Sequence, residues 1–389
     1  MSGQRGTLDT VSVHAGEPSG QNAPLTVPIV QSTTFRFASA AAVQEYARGG
    51  SALFMYSRDE NPTVRAAEEA VAALEGGESC VLFGSGMGAM TCALLATVSG
   101  GDEVLASASI YGGTYKLLRD VLSRFGVRTR QAEPETLAEA CAAGGARVCV
   151  FESPTNPTLR VLDIPAIASA CRKAGTVSLI DSTFGTPWTQ RPLASGVDVV
   201  MHSATKYLNG HSDHLIGALV GSRERIEPIR LLSHKLGAAL DPQAAYDLLR
   251  GLKTFSLRME RHSRTALTLA RFLEGHRGVA RVWYPGLESH PDHALAARQM
   301  QRGFGGMVTF TVGTRERAFR FWDRLKLCAR AASLGGPETL TSLPILFSHT
   351  NYSAKELSRA GVDEGMVRMS VGLEDPGDLE ADLAQALEP

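Results

Sequence analysis

From Glu78 onward the chain repeats one pattern: a short apolar run, a turn, a helical stretch, and another apolar run. Ser79–Phe83, Glu103–Ala106, Arg147–Glu152, Val177–Asp181, Asp198–His202 and Leu215–Val220 read as strands, and Gly86–Ser99, Tyr115–Phe125 and Ile164–Ala174 as helices. Strands that alternate with helices build βαβ units around a mostly parallel sheet, which restricts the chain to the α/β class. Open sheets of this kind bind ligands beyond the carboxyl ends of their strands. A long helical pattern from Pro242 to Leu273, interrupted only by Gly251, leads to a segment from about Val279. That segment mixes strands (Met307–Val312, Val367–Val371) with helices (Arg315–Leu325, Asp378–Leu387) and reads as a smaller α+β unit. The first sixty residues hold Pro18, Pro24 and Pro28 and one short helix candidate at Ala38–Arg48, and read as an arm.

Composition narrows the function. Lysine plus arginine number 39 and aspartate plus glutamate 40 among 389 residues, so the chain lacks the charge of a nucleic-acid binder. Small anions held by a few donors remain compatible. The apolar runs are short (Cys92–Val98 has seven residues), far from the ~20 that span a bilayer, so no membrane partner is expected. The first twenty residues have no apolar signal region. The six cysteines form no CxxC pair, and buried free thiols of a cytoplasmic enzyme are expected. Glycine, at 39 residues, is in surplus, which asks where the backbone turns tightly or approaches a ligand.

Three signals fall at strand ends. Gly84-Ser85-Gly86-Met87-Gly88-Ala89 joins a strand to a helix, where exposed N–H groups and the helix N-terminus favour an anion. The same stretch would also serve a helix start packed tightly on a sheet. It matches neither the dinucleotide fingerprint, whose third glycine comes one place later, nor a P-loop. Ser203-Ala204-Thr205-Lys206 follows an apolar strand, and a desolvated lysine there becomes a nucleophile toward aldehydes, with two hydroxyls at hand for a phosphate. Asp181 ends another strand, where a carboxylate is costly unless paired, for instance with a pyridinium nitrogen. Taken singly, a surface lysine and a helix-capping aspartate explain the last two. Together the three supply a phosphate cradle, an amine and a counter-ion.

Further stretches recur in order: Tyr56-Ser57-Arg58 with Asn61-Pro62-Thr63, Tyr111-Gly112-Gly113-Thr114, Glu152 to Pro157, Ser203 to Asp213, Ser333-Leu334-Gly335-Gly336 and Val367 to Glu374. This ordered set resembles the Cys/Met-metabolism family of pyridoxal phosphate (PLP) enzymes, which includes cystathionine γ-synthase, cystathionine γ-lyase and methionine γ-lyase. The resemblance spans nearly the whole chain. It implies an aspartate aminotransferase-like, fold-type I architecture: an arm (1–60) contacting a neighbouring subunit, a PLP-binding α/β domain with a seven-stranded type of sheet (61–250) and a C-terminal α+β domain (251–389). It implies that Lys206 carries PLP covalently and moves protons, that Asp181 pairs with the ring nitrogen, and that Tyr111 stacks on the ring and protonates the leaving sulfur. Gly86, Met87, Ser203 and Thr205 would hold the phosphate. Arg368, with Asn156 and Ser333, would bind the substrate carboxylate. Tyr56 and Arg58 would reach a neighbouring subunit's phosphate site, Tyr56 also touching substrate, in a homotetramer built as a dimer of dimers. On this reading Gly84, Gly86, Gly88, Gly112, Gly113, Gly335 and Gly336 line the site.

These motifs serve both γ-elimination and γ-replacement. Ala332 stands where many cystathionine-handling members carry a glutamate, which suits a short thioether; Gly113 stands where methionine γ-lyases commonly carry cysteine. Elimination from methionine, cystathionine or homocysteine is expected first, and a synthase acting on an O-acyl-homoserine second. A nicotinamide enzyme and a non-catalytic binding relative fit less well, given the glycine spacing and the intact Lys206, Asp181, Tyr111 and Arg368. His211 and His214 have the spacing of a metal pair but fall in the loop after the lysine, and no metal is expected. Trp283 to Leu287 reads as a packed turn, and the arginine-rich helix Arg258–Arg271 as a solvated or interfacial face.

Overall fold

The computed structural model describes residues 6–49, 53–348, 350, 357 and 361–388. Seven strands form the first sheet: β1 (Ser79–Phe83), β2 (Glu103–Ser107), β3 (Arg128–Ala132), β4 (Val148–Glu152), β5 (Val177–Asp181), β6 (Val199–Ser203) and β7 (Gly217–Gly221). Their order is β1-β7-β6-β5-β4-β2-β3. The pairs β2–β3, β2–β4, β4–β5 and β5–β6 are parallel, while β7 runs antiparallel to both neighbours. β1, β4 and β7 are buried at every residue, as strands covered on both faces must be. β3 escapes the sequence reading because its RTRQA alternates charge at an open edge. The helices Pro62–Glu75 and Arg223–Leu236 escape it too; both open on a capping side chain, Asn61 and Ser222.

A second sheet of β8 (Arg281–Trp283), β9 (Met307–Thr311), β10 (Ala329–Arg330), β11 (Leu340–Ser342) and β12 (Met366–Ser370) runs in the order β10-β11-β12-β9-β8. Val308, Phe310, Val367 and Met369 pack there against Leu269, Phe321 and Leu379. Trp283, Tyr284 and Leu287 are buried around the turn that follows β8.

The expected single helix from 242 to 273 is two, Pro242–Leu252 and Phe255–Gly275. The break has a visible cause. Arg258 is buried and donates to the carbonyls of Gly251, Tyr207 and Leu208, taking a carbonyl that a continuous helix would use. This also corrects the reading of Arg258 as solvated: it anchors the segment just after the lysine motif. The expected strand from Leu215 starts at Gly217, because Ile216 turns its backbone to Thr205 and Leu215 is 69% exposed. The helix expected over 115–125 begins at Gly112 and ends in a wide turn, Leu117–Val121, and a tight one, Leu122–Phe125. All six thiols are free and buried. Among the described residues no helix is long and apolar enough to cross a membrane.

Candidate active site

The carboxyl ends of β1, β4, β5 and β6 open into a cavity of ≈ 350 Å³ that the second sheet closes with Arg368 and the loop at Ser333. Ten of the twelve expected site residues line it: Gly86, Met87, Tyr111, Asn156, Asp181, Ser203, Thr205, Lys206, Ser333 and Arg368. Tyr56 and Arg58 do not. They lie on the arm, Tyr56 40% exposed, with the Arg58 guanidinium 5.1 Å from the Tyr56 ring centroid.

The anion end is built by the helix Gly86–Thr97. Ser85 caps it, accepting the Gly88 N–H at 3.0 Å. The first-turn N–H groups of Gly86 and Met87 have no acceptor within the helix and lie at its positive end. Ser203 is fixed from below, its N–H donating to Thr183 Oγ1 at 2.8 Å. The Thr205 hydroxyl is already engaged, donating to Ile216 O at 3.2 Å and accepting from Ile216 N at 2.8 Å.

Asp181 closes the opposite end. Thr183 N–H donates to its Oδ1 at 3.0 Å, and burial pushes its carboxyl above the ordinary aspartate value. A half-buried carboxylate held by Thr183 alone, through its backbone and its hydroxyl, is short of positive charge, which a protonated ring nitrogen would supply. Lys206 lies between the two ends. Burial, and secondarily the charge of Arg368, pushes its ammonium down to about 8, and Nζ donates to Ser333 Oγ at 2.5 Å. A lysine without a carboxylate partner and with a depressed pKa suits covalent capture of an aldehyde. A helix-end anion cradle, an activated amine and an unneutralised carboxylate form a donor set that fits PLP.

On the second-sheet side, Arg368 is buried in β12. Its NH1 donates to Asn156 Oδ1 and its NH2 to Ser333 O, both at 3.1 Å, which presents a planar fork toward the cavity. Burial lowers its guanidinium to about 10. Ser333 bears this at φ 83°, a left-handed conformation unfavourable for a serine, and so sits between the lysine and the fork.

Several lining residues carried no expectation: Glu152, Thr183, Leu215 and Phe347. Glu152 lies within a quoted motif, but nothing in its spacing reveals that two backbone N–H groups converge on it. Of the seven glycines expected to line the site, Gly86 alone is among its walls. Gly335, at φ 77°, packs against the backbone between Lys206 and Tyr207 and so supports the site from behind. His211 and His214 turn to separate partners, Asn209 O and Asp247 Oδ2.

The family described as "Cys/Met metabolism PLP-dependent enzyme" matches residues 9–388. The chain is 41% identical to an L-methionine gamma-lyase of Fusobacterium nucleatum, with 100% of each covered. It is 40% identical to cystathionine gamma-synthase 1, chloroplastic, of Arabidopsis thaliana, over 97% of this chain and 68% of that protein. A crystal structure from Campylobacter jejuni, described as an O-acetylhomoserine (thiol)-lyase and carrying an N′-pyridoxyl-lysine-5′-monophosphate, superposes with a TM-score of 0.94 at 31% identity, covering 99% of this chain and 100% of that one. With the match running from residue 9 to residue 388 and the cavity holding the donors PLP requires, the chain belongs to the Cys/Met metabolism family of PLP-dependent enzymes.

Proposed function

We propose that this protein catalyses γ-elimination of a sulfur amino acid, with L-methionine the substrate its cavity suits best, giving 2-oxobutanoate, ammonia and a thiol. The observation that carries this reading is the apolar part of the cavity lining. Ala332, Leu215 and Phe347 belong to it, and apolar groups favour a short thioether over the charged distal head of cystathionine.

PLP, when bound, supplies an electron sink for the bonds broken at the substrate's α- and β-carbons. The protein's groups do the rest. Gly86, Met87 and Ser203 hold the phosphate. Thr205 joins them by exchanging its bond to Ile216 O. Asp181 keeps a negative charge opposite the ring nitrogen. Arg368, oriented by Asn156 and Ser333, binds the substrate carboxylate as a two-pronged fork and so sets which face of the α-carbon meets Lys206. Lys206 Nζ would hold the cofactor covalently, and as a free amine it would take the α-proton, a role its lowered pKa supports. Tyr111, which lines the cavity and is 45% exposed, would pack against the cofactor and donate its hydroxyl proton to the departing sulfur.

A γ-replacement synthase is the second reading, and Gly113 favours it. A side-chain carbon there would collide with the Tyr111 ring and come within 3.0 Å of Met87 Sδ, so this chain has no room for the cysteine common in methionine γ-lyases. Purified holoenzyme incubated with L-methionine, L-cystathionine, or O-succinyl-L-homoserine plus cysteine separates the two. Release of 2-oxobutanoate from methionine supports elimination, while product from the last pair alone overturns it. The exposed positions of Tyr56 and Arg58, outside the cavity of their own chain, support their donation to a neighbouring subunit; a homotetramer and a cytoplasmic location belong to the same proposal. The division into 1–60, 61–250 and 251–389 is part of the same proposal; a first sheet that ends at Gly221 and a second that begins at Arg281 support a boundary between them, and the cut after residue 250 falls within the helix Pro242–Leu252.

A further inference from the structure

Glu152 ends β4 and lines the cavity, buried to 6% exposure. Its two oxygens have different partners. Oε2 accepts the backbone N–H of Tyr111 at 2.8 Å, and Oε1 accepts that of Asn156 at 2.7 Å. These two residues belong to opposite functions of the site. Tyr111 precedes the short helix Gly112–Lys116 and lines the cavity. Asn156 lies in the loop after β4 and aligns Arg368. Neither backbone N–H lies within a strand, and Glu152 is the acceptor of both. One side chain therefore joins the ring-stacking element to the substrate-binding element.

The neighbouring strand adds a second constraint. Glu152 pairs in register with Asp181, so two carboxyl groups stand side by side at the ends of β4 and β5. Two adjacent carboxylates shielded from water resist ionising together. Burial, followed by the charge of Asp181, pushes Glu152 up to about 8.

We propose that Glu152 is a positioning residue of the PLP site: its carboxyl group clamps the backbone N–H groups of Tyr111 and Asn156 together, setting the stacking ring and the Arg368 fork in one geometry. This rests on the PLP-site reading above, and its test does not depend on which amino acid is the substrate. Glu152→Gln preserves shape, but a carboxamide nitrogen cannot accept an N–H, so one of the two ties is lost. The apoenzyme of E152Q, titrated with PLP, is expected to bind it about tenfold more weakly than wild type, the effect of losing one buried hydrogen bond and misplacing the ring. The visible circular dichroism of the bound cofactor should weaken as well, since it reports the ring's asymmetric contacts, while thermal unfolding of the apoenzyme changes little. Wild-type PLP affinity together with an unaltered dichroic band in folded E152Q would overturn the proposal.

If E152Q does not fold, site-resolved amide exchange in the wild-type apoenzyme gives the answer. The Tyr111 and Asn156 amides should be protected and open together, and rapid or independent exchange would overturn the clamp. Weakened PLP binding in E152Q alongside no 2-oxobutanoate from any thioether with the wild-type holoenzyme would leave the clamp standing and remove the elimination reading.

Discussion

Lys206 is under two pressures that its surroundings balance. Burial and the Arg368 charge favour the neutral amine, and the Ser333 hydroxyl accepts a proton bond from the ammonium. The sign of the resulting pH dependence follows. The nucleophile is the neutral amine, whose fraction grows as pH rises through the folded pKa. Covalent capture of PLP by the apoenzyme should therefore accelerate with pH around a midpoint near about 8, well below an ordinary lysine at 10.5. Borohydride trapping at a series of pH values measures it, and Lys206→Ala should trap nothing. A midpoint at or above 10 would show that the lysine is not desolvated. Ser333 carries a separate expectation. Its φ of 83° strains any residue with a Cβ, so Ser333→Gly and Ser333→Ala, which lose the same hydroxyl, should differ in denaturant stability by about 1 kcal/mol in favour of glycine.

The helix Gly86–Thr97 and β7 must approach each other for the anion cradle to exist. Gly217, the first residue of β7, lies directly against the Ser85 carbonyl, and a Cβ there would overlap it. Gly217→Ala should push the helix start outward and weaken PLP binding by tenfold or more while the rest of the sheet still forms. Equilibrium titration of the apoenzyme with PLP, beside far-ultraviolet circular dichroism, checks both halves. This element also shows what the sequence makes legible. Ser85-Gly86-Met87 announces a helix start at a strand end because each residue carries a local rule: cap, close approach, first turn. Gly217 announces nothing, since its need for a bare Cα comes from a residue more than a hundred positions away. The strands β1 and β5 match their expected limits residue for residue, because apolar runs bounded by turns are a local property. The broken helix at 252–255 and the exposed Leu215 were illegible for the opposite reason. Each follows from a tertiary competitor, Arg258 for the Gly251 carbonyl and Thr205 for the Ile216 backbone. Glu152 belongs with them, its partners lying 41 and four positions away.

At the scale of the whole molecule, the two sheets divide the labour. The first supplies Gly86, Met87, Asp181, Ser203 and Lys206, the residues assigned to the cofactor; the second supplies Arg368 and, from the loop before β11, Ser333, assigned to the substrate. Asn156 is the bridge, reaching from the first sheet to the guanidinium carried by the second. The ordered motifs displayed both halves in the sequence, but only the fold shows that they share few groups. A change confined to the second sheet should thus separate substrate binding from cofactor binding. Arg368→Lys keeps the positive charge and removes the fork, so Asn156 and the Ser333 carbonyl can no longer both be met while a carboxylate is gripped with two parallel bonds. KM for the amino acid should rise by about ten- to a hundredfold, the loss of a buried charge-assisted bond, with the PLP dissociation constant unchanged within about twofold. Steady-state release of 2-oxo acid gives the first quantity and titration of the apoenzyme the second. A parallel fall in both affinities would mean that the sheets do not act separately and that Arg368 supports the cofactor as well as the substrate.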